Sequence, residues 1–214
     1  CEKEKISWRK FGMLIKALSN IEHDNIKNEY KIFNKQTSMK SRKKNAIDKK
    51  LERFNFIPCY NRDIENMIDP YENGWELRYY KHLFNVNNRN EYLKDICINY
   101  LEGIEWTMKY YTTGCINYRW KYKYHYPPLL VDLARFVPHF DTELVEKNMN
   151  IINFDTQLAY VLPHNSLHLL NKKVRDKLVN NLKDYYSSSP TFTWAFCKYF
   201  WESHVNIQHM EIET

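Results

Sequence analysis

Glycine is almost missing from this sequence, with four in 214 residues. Loops that cradle phosphate need glycine to bring backbone amides against the ligand. Neither G-x-x-x-x-G-K-[ST] nor G-x-G-x-x-G occurs, which argues against nucleotide-triphosphate chemistry in these residues. Paired cysteines are missing too. Cys1, Cys59, Cys97, Cys115 and Cys197 are odd in number, far apart and never in a C-x-x-C pair. That pattern fits neither a disulfide framework nor a zinc knuckle, and it suits a reducing compartment. No apolar run reaches the roughly 20 residues that a membrane helix needs, and a mean hydropathy of −0.70 agrees. Residues 1–10 have neither the apolar stretch nor the cleavage site of a signal peptide, and the chain opens on Cys1, so the natural N-terminus is expected upstream.

What is present is ample material for a core: 43% hydrophobic residues, 16% of all residues aromatic. The formal net charge is +6, and the pI is about 8.9. A cation excess of that size attracts polyanions without reaching the level of a histone-like chain. Asparagine, lysine, isoleucine and tyrosine are abundant, the signature of an AT-rich genome, so part of the lysine excess is compositional.

The apolar periodicity predicts a mainly α chain with a few short strands (α+β). Ile6, Phe11, Leu14, Ile15, Leu18 and Ile21 have helical spacing, with Ser7 as a cap, and the helix is expected to run through Phe33. Residues 35–50 hold seven lysines and arginines against one aspartate and read as a solvated basic connector. Residues 1–55 are expected to form a helix plus connector, and no clean linker divides the rest of the chain; the bounds 56–205 for a folded region and 206–214 for a tail follow from the resemblance given below. Within 56–205, Pro58, Pro70 and Asn73-Gly74 punctuate an irregular segment before a short helix from Trp75 to Phe84. From Asn90 to Tyr111, Leu93, Ile96, Cys97, Tyr100, Leu101, Ile104, Met108 and Tyr111 recur at helical steps, while Lys94, Glu102, Glu105 and Lys109 are expected to face away. Gly114 stands at the C-cap. Short helices are expected in 129–149 and 154–160, an amphipathic one from Lys172 to Tyr185, and β-prone residues from Phe192 to Val205.

Chemistry is thinly signposted. Asp63, Glu65, Asp69 and Glu72 are scattered, have Arg62 beside them, and read as turn and cap residues rather than metal ligands. His164 and His168 share a helical spacing but lack a third ligand. The sequence offers no catalytic and no metal-binding residue. One stretch stands apart: NYRWKYKYHYPP, residues 117–128, places Tyr118, Trp120, Tyr122, Tyr124 and Tyr126 at alternate positions, with Arg119, Lys121, Lys123 and His125 between them. Alternation of this kind predicts a strand ending before Pro127. Its rings could fill a core while the cations meet solvent. A ring at an exposed end could also stack on a base while Arg119 and Lys121 meet phosphates, with His125 joining the RNA-binding set on the same face. Both hold together if an early ring stacks and the later ones pack.

Four co-linear motifs sharpen this. Gly74, Trp75, Arg78, Tyr79 and Tyr80 come first, followed by Tyr100, Glu102, Gly103 and Trp106. Next come Gly114, Cys115, Tyr118 and Trp120, and then Tyr124, His125, Tyr126, Pro128, Asp132 and Leu133. They resemble the G-W-x-x-R-Y-Y, Y-x-E-G-x-x-W, G-C-x-x-W-x-W and Y-H-Y-x-P…S-D-L elements of the second conserved region of the XRN-type 5′→3′ exoribonucleases. Residues 154–170 resemble that family's L-P-x-x-S-x-x-L-L segment.

The resemblance implies the C-terminal part of a larger exoribonuclease core that acts on single-stranded RNA from a 5′-monophosphate end with magnesium. The metal would be bound by an N-terminal conserved region that this chain lacks, so these residues alone are expected to be inactive. Their implied role is to pack on that N-terminal region, close the channel and supply an aromatic, Tyr118 or Trp120, that bounds the stacked bases. Tyr118 stands where tryptophan is usual, Lys121, Lys123 and Pro127 replace an aromatic, a proline and a small residue, and HVNIQHMEIE replaces the usual proline-containing ending. Such divergence resembles copies carried by large cytoplasmic DNA viruses, with a cytoplasmic, viral-factory or virion location. The alternative is a non-catalytic RNA-binding, scaffold or virion protein descended from such an enzyme. The presence or loss of an acidic metal cluster upstream of Cys1 separates the two.

Overall fold

A computed structural model describes residues 5–36, 43–87, 89–181, 185–186 and 189–206. The chain divides into two compact units, Cys1–Met149 with Trp194–Glu202, and Asn150–Thr193 with Ser203–Thr214.

The larger unit is helical. Helix α1, Trp8–Gln36, starts where the Ser7 carbonyl accepts from the Phe11 amide at 2.9 Å. It buries Trp8, Ile15 and Tyr30, whereas Leu14, Leu18 and Ile21 stay largely exposed. The expected basic connector is in part a helix: α2, Ala46–Asn55, begins where the Asn45 side chain accepts from the Ile47 amide at 2.9 Å. Residues 37–42 of that connector lie outside the described residues. Two short helices follow, α3 (Ile57–Tyr60) and α4 (Asp63–Ile68), then α5 (Trp75–Phe84) and α6 (Arg89–Thr112). Of the three stretches expected to be helical beyond Pro128, 129–149 forms only the four-residue α7, Leu130–Leu133, and is otherwise irregular.

Polar side chains tie the α4–α5 turn to the core. Gly74 has φ +77°, a left-handed conformation open to glycine without steric cost, and so lets α5 begin immediately after the turn. Arg78, one turn into α5, donates to the carbonyls of Ile68, Asp69, Glu72 and Asn73 at 2.8–3.1 Å. The Tyr79 hydroxyl donates to the Pro127 carbonyl at 2.8 Å. The Tyr80 hydroxyl donates to buried Asp132 at 2.8 Å and accepts from the Leu129 amide at 3.0 Å. Ile68, Tyr80, Ile96, Cys97, Leu101 and Leu133 are fully buried around these bonds.

The buried stripe of α6 departs from expectation. Leu93, Cys97 and Leu101 continue at four-residue steps into Glu105 and Lys109, both buried, while Tyr111 is 82% exposed. The two charges are inside because they neutralise each other. Lys109 Nζ lies 2.8 Å from Glu105 and 3.4 Å from Glu143, and the second Glu105 oxygen accepts from the Leu144 and Val145 amides. Burial pulls the Lys109 pKa down, but the carboxylates outweigh it and the net shift is upward.

The smaller unit holds α8 (Phe154–Val161), a 3₁₀ helix (His164–Leu169) and α9 (Lys172–Asn181) around Ala159, Leu167, Leu170 and Tyr186. Strands β1, Thr191–Thr193, and β2, His204–Asn206, pair antiparallel with Phe192 opposite Val205. They are short strands in a mainly helical chain. Residues 182–184 of the helix expected to reach Tyr185, and the tail beyond Asn206, lie outside the described residues.

Several hydroxyls of the larger unit sit in the interior. Burial raises the pKa of Tyr30, Tyr79, Tyr80, Tyr122 and Tyr126, since it penalises the phenolate. A group with a raised folded pKa stabilises the fold below its unfolded value and loses that contribution as pH rises above it. Stability is therefore expected to fall above about pH 10, the ordinary tyrosine range. In a spectrophotometric titration, the phenolate absorbance of the buried tyrosines should appear together with unfolding. Complete ionisation while the fold persists would contradict these burials.

Candidate nucleic-acid interface

Helix α6 is closed two residues beyond Thr112 by Gly114, whose φ is +102° and whose amide donates to the Lys109 carbonyl at 3.0 Å. The chain then turns back across α6 as residues 117–128. This stretch is not the expected strand: apart from one bridge, Asn117 to Asn148, it is irregular. The reason lies in side chains that capture its backbone. Asn117 Oδ1 accepts from the Arg119 amide at 2.8 Å and the Asn117 side chain donates to the Glu146 carbonyl at 2.9 Å. The Tyr118 amide donates to the Asn148 carbonyl at 3.0 Å. From α6, Trp106 Nε1 donates to the Asn117 carbonyl at 2.9 Å and Asn99 Oδ1 accepts from the Lys123 amide at 2.9 Å.

Those tethers set the rings. Trp120 lies on the backbone of α6 at Gly103, where an added Cβ would be 2.8 Å from its Cη2 atom. Its indole N–H donates to Glu102 at 3.3 Å, and Glu102 also accepts from Asn99 at 2.9 Å. Trp120 stacks on Trp106 at 5.6 Å and 23°, and Trp106 stacks on Tyr110 at 5.2 Å and 15°. Tyr111 meets Tyr110 edge-on. Three half-buried to exposed rings are thus stacked in series along one side of α6, with Tyr118 39% exposed on the adjoining loop.

The later rings are core. Tyr122 packs edge-on to Tyr100 and Tyr124, and its hydroxyl donates to the Tyr126 carbonyl at 2.7 Å. Tyr124 tilts against Phe84, and Tyr126 is buried. Of the cations placed in the site by sequence, Arg119 and Lys121 are half-buried and His125 is exposed, as is Lys123. Tyr118, Arg119, Trp120, Lys121 and His125 therefore share one anchored loop, but the cations do not form a uniformly solvent-facing row.

The carboxylates of α4 serve the fold. Buried Glu65 pairs with Arg62 and accepts from the Phe196 amide at 2.5 Å, and Asp69 accepts from the Tyr71 amide at 3.0 Å. His164 and His168 are exposed on the 3₁₀ helix, and His168 Nδ1 lies 3.0 Å from the Asn165 carbonyl. Among the described residues there is no group of three or more His, Cys, Asp or Glu side chains that could hold a metal ion. No helix among them is long and apolar enough to cross a membrane. The sequence reading missed Tyr110 as part of the ring series. Its signal was Trp106 and Tyr110 at i and i+4, a spacing that brings two side chains together on a helix.

The sequence profile of a family described as the Xrn1 helical domain matches residues 3–208. The chain is 34% identical over 115 residues to the 5′-3′ exoribonuclease 2 of Saccharomyces cerevisiae, covering 53% of this chain and 11% of that protein. It is 38% identical over 69 residues to the protein of the same name from Gallus gallus, covering 32% and 7%. With that from Gibberella zeae it shares 30% identity over 139 residues, covering 62% and 14%. The matched region therefore spans about a tenth of the length of these relatives.

Gly103 gives a test of the geometry. A glycine-to-alanine change inside a helix ordinarily stabilises it by about 1 kcal/mol. Gly103→Ala should instead destabilise the protein by about 1–3 kcal/mol, because the methyl group overlaps Trp120. Thermal unfolding would read this as a fall of about 2–4 °C per kcal/mol. A raised melting temperature would show that Trp120 does not rest on this backbone.

Proposed function

This chain belongs to the Xrn1 helical domain family, and we propose that within a 5′→3′ exoribonuclease it borders the substrate channel and holds unpaired RNA there. The observation that carries this reading is the half-exposed Tyr118 ring beside the Trp120–Trp106–Tyr110 series, on a loop that also bears Arg119, Lys121 and His125. Aromatic faces accept any base, and stacking contributes about 1–3 kcal/mol per base. A tyrosine offers less area than a tryptophan but keeps a flat face. Cations on the same loop supply the sequence-independent phosphate attraction that favours RNA of any composition.

Preorganisation supports the same reading. Hydrogen bonds from Asn99, Trp106 and Asn117 hold the loop backbone before any ligand arrives. Ordering of the loop is then not charged against binding. The chemical step would belong to other parts of the polypeptide. Magnesium, held there by carboxylates of an N-terminal region, would supply phosphodiester hydrolysis from a 5′-monophosphate end. The residues described here would position the strand. A cytoplasmic location is part of this proposal.

Tyr118→Ala in the full-length protein should weaken binding of a single-stranded oligonucleotide about fivefold or more, with melting temperature unchanged, because its ring is not part of the core. Trp120→Ala should weaken binding and lower stability together. For the wild type, the logarithm of the association constant should fall as salt rises, by about 0.7 per phosphate contact. Wild-type affinity in both variants, or salt-independent binding, would remove this loop from the RNA path.

A further inference from the structure

A second exposed aromatic surface lies at residues 198–202, away from the loop just described in sequence and held by different partners. Trp194 Nε1 donates to the Asn61 carbonyl at 2.8 Å. Phe200 tilts against Phe54 of α2 at 4.7 Å, and Tyr199 against Phe56 at 5.1 Å. Glu202 fixes the turn between them: one carboxylate oxygen accepts from the Lys198 amide at 2.7 Å and from the Tyr199 amide at 3.1 Å, while the Glu202 amide donates to the Tyr199 carbonyl at 3.0 Å. On this scaffold Tyr199 and Trp201 stack at 4.2 Å and 11°. Trp201 is nonetheless 65% exposed, so the largest side chain of the turn is held in place with most of its surface in water.

The turn carries charge of both signs, Lys198 and Glu202. Lys198 Nζ lies 5.2 Å from the Tyr199 ring centroid. On α2, Lys50 is one turn before Phe54 and exposed on its side of the helix, whereas Asp48 and Glu52 fall further round. The carboxylate of the turn itself, Glu202, is engaged by two amides. The largest exposed ring is Trp201, and on α2 the aliphatic Ile47 and Leu51, two turns and one turn before Phe54, are exposed as well. A flat π-face beside lysines, with its backbone already ordered, suits a flexible polyanion whose units are themselves flat rings.

We propose that Trp201 stacked on Tyr199 is a second platform for unpaired RNA, on which a base lies against the Trp201 indole while Lys198 and Lys50 meet the adjoining phosphates. It does not depend on the Tyr118 loop binding RNA.

The test uses the full-length protein and a 12-nucleotide single-stranded oligoadenylate with a 5′ monophosphate. Trp201→Ala should weaken binding about five- to a hundredfold, Trp201→Phe should retain most of the affinity, and melting temperature should not change. Lys198→Ala, a second and independent variant, should lower both affinity and its salt dependence. Blunt duplex RNA, whose bases are already stacked, should bind the wild type and Trp201→Ala alike. Wild-type affinity of Trp201→Ala for the oligoadenylate overturns the proposal, as does an equal loss on single strand and duplex. Unchanged RNA affinity with weakened association between this chain and the rest of its polypeptide would assign the surface to a protein contact and also overturn it. Tyr118→Ala, run in parallel, separates the two readings. If it loses affinity while Trp201→Ala does not, the channel loop stands and the second platform falls. The opposite pattern supports the platform alone.

Discussion

The contact of the Trp120 ring with the α6 backbone at Gly103 is the constraint on which the aromatic loop depends. Only a residue without a side chain lets the indole lie this close, with the overlap point at 2.8 Å for any added Cβ. Once the ring is there, Glu102 can accept its N–H, Trp106 can stack on it, and Tyr110 can extend the series. The helix therefore acts as a flat bed, and the loop crossing it is shaped by the bed rather than by its own alternation.

The motif residues divide along the same line. Tyr79 and Tyr80 bond the backbone at Pro127 and Leu129 through their hydroxyls, and Asp132 accepts from Tyr80, so they secure the far end of the loop. Asn99, Trp106 and Asn117 secure the near end. Between those anchors, Tyr118 is left outward while Tyr122 and Tyr126 turn in. One stretch of rings serves both a core and a surface because its two ends are pinned to different elements.

Much of this was legible in the sequence. Helices α5 and α6 follow from apolar spacing with a glycine before one and after the other, and the packing of the later rings follows from their content. The strand was misread because period-two alternation describes an extended backbone equally well whether its hydrogen-bond partners are a neighbouring strand or asparagine side chains. Glu105 and Lys109 were read as solvent-facing because charge is the usual mark of a wet face. Their partners, Glu143 and the amides of Leu144 and Val145, come from more than thirty residues away and leave no local trace. Phe192 to Val205 looked uniformly β-prone, but the carboxylate of Glu202 captures two amides and bends the middle of it into a turn.

Arg78 carries a last implication. Its guanidinium is committed to four main-chain carbonyls, and Arg62 and Lys109 are likewise enclosed with their own counter-groups. All three enter the formal charge of the chain, yet none is offered to an approaching strand. The direct contacts open to such a strand are consequently fewer than a count of cations suggests, and an inventory of basic residues would mistake internal braces for ligand contacts.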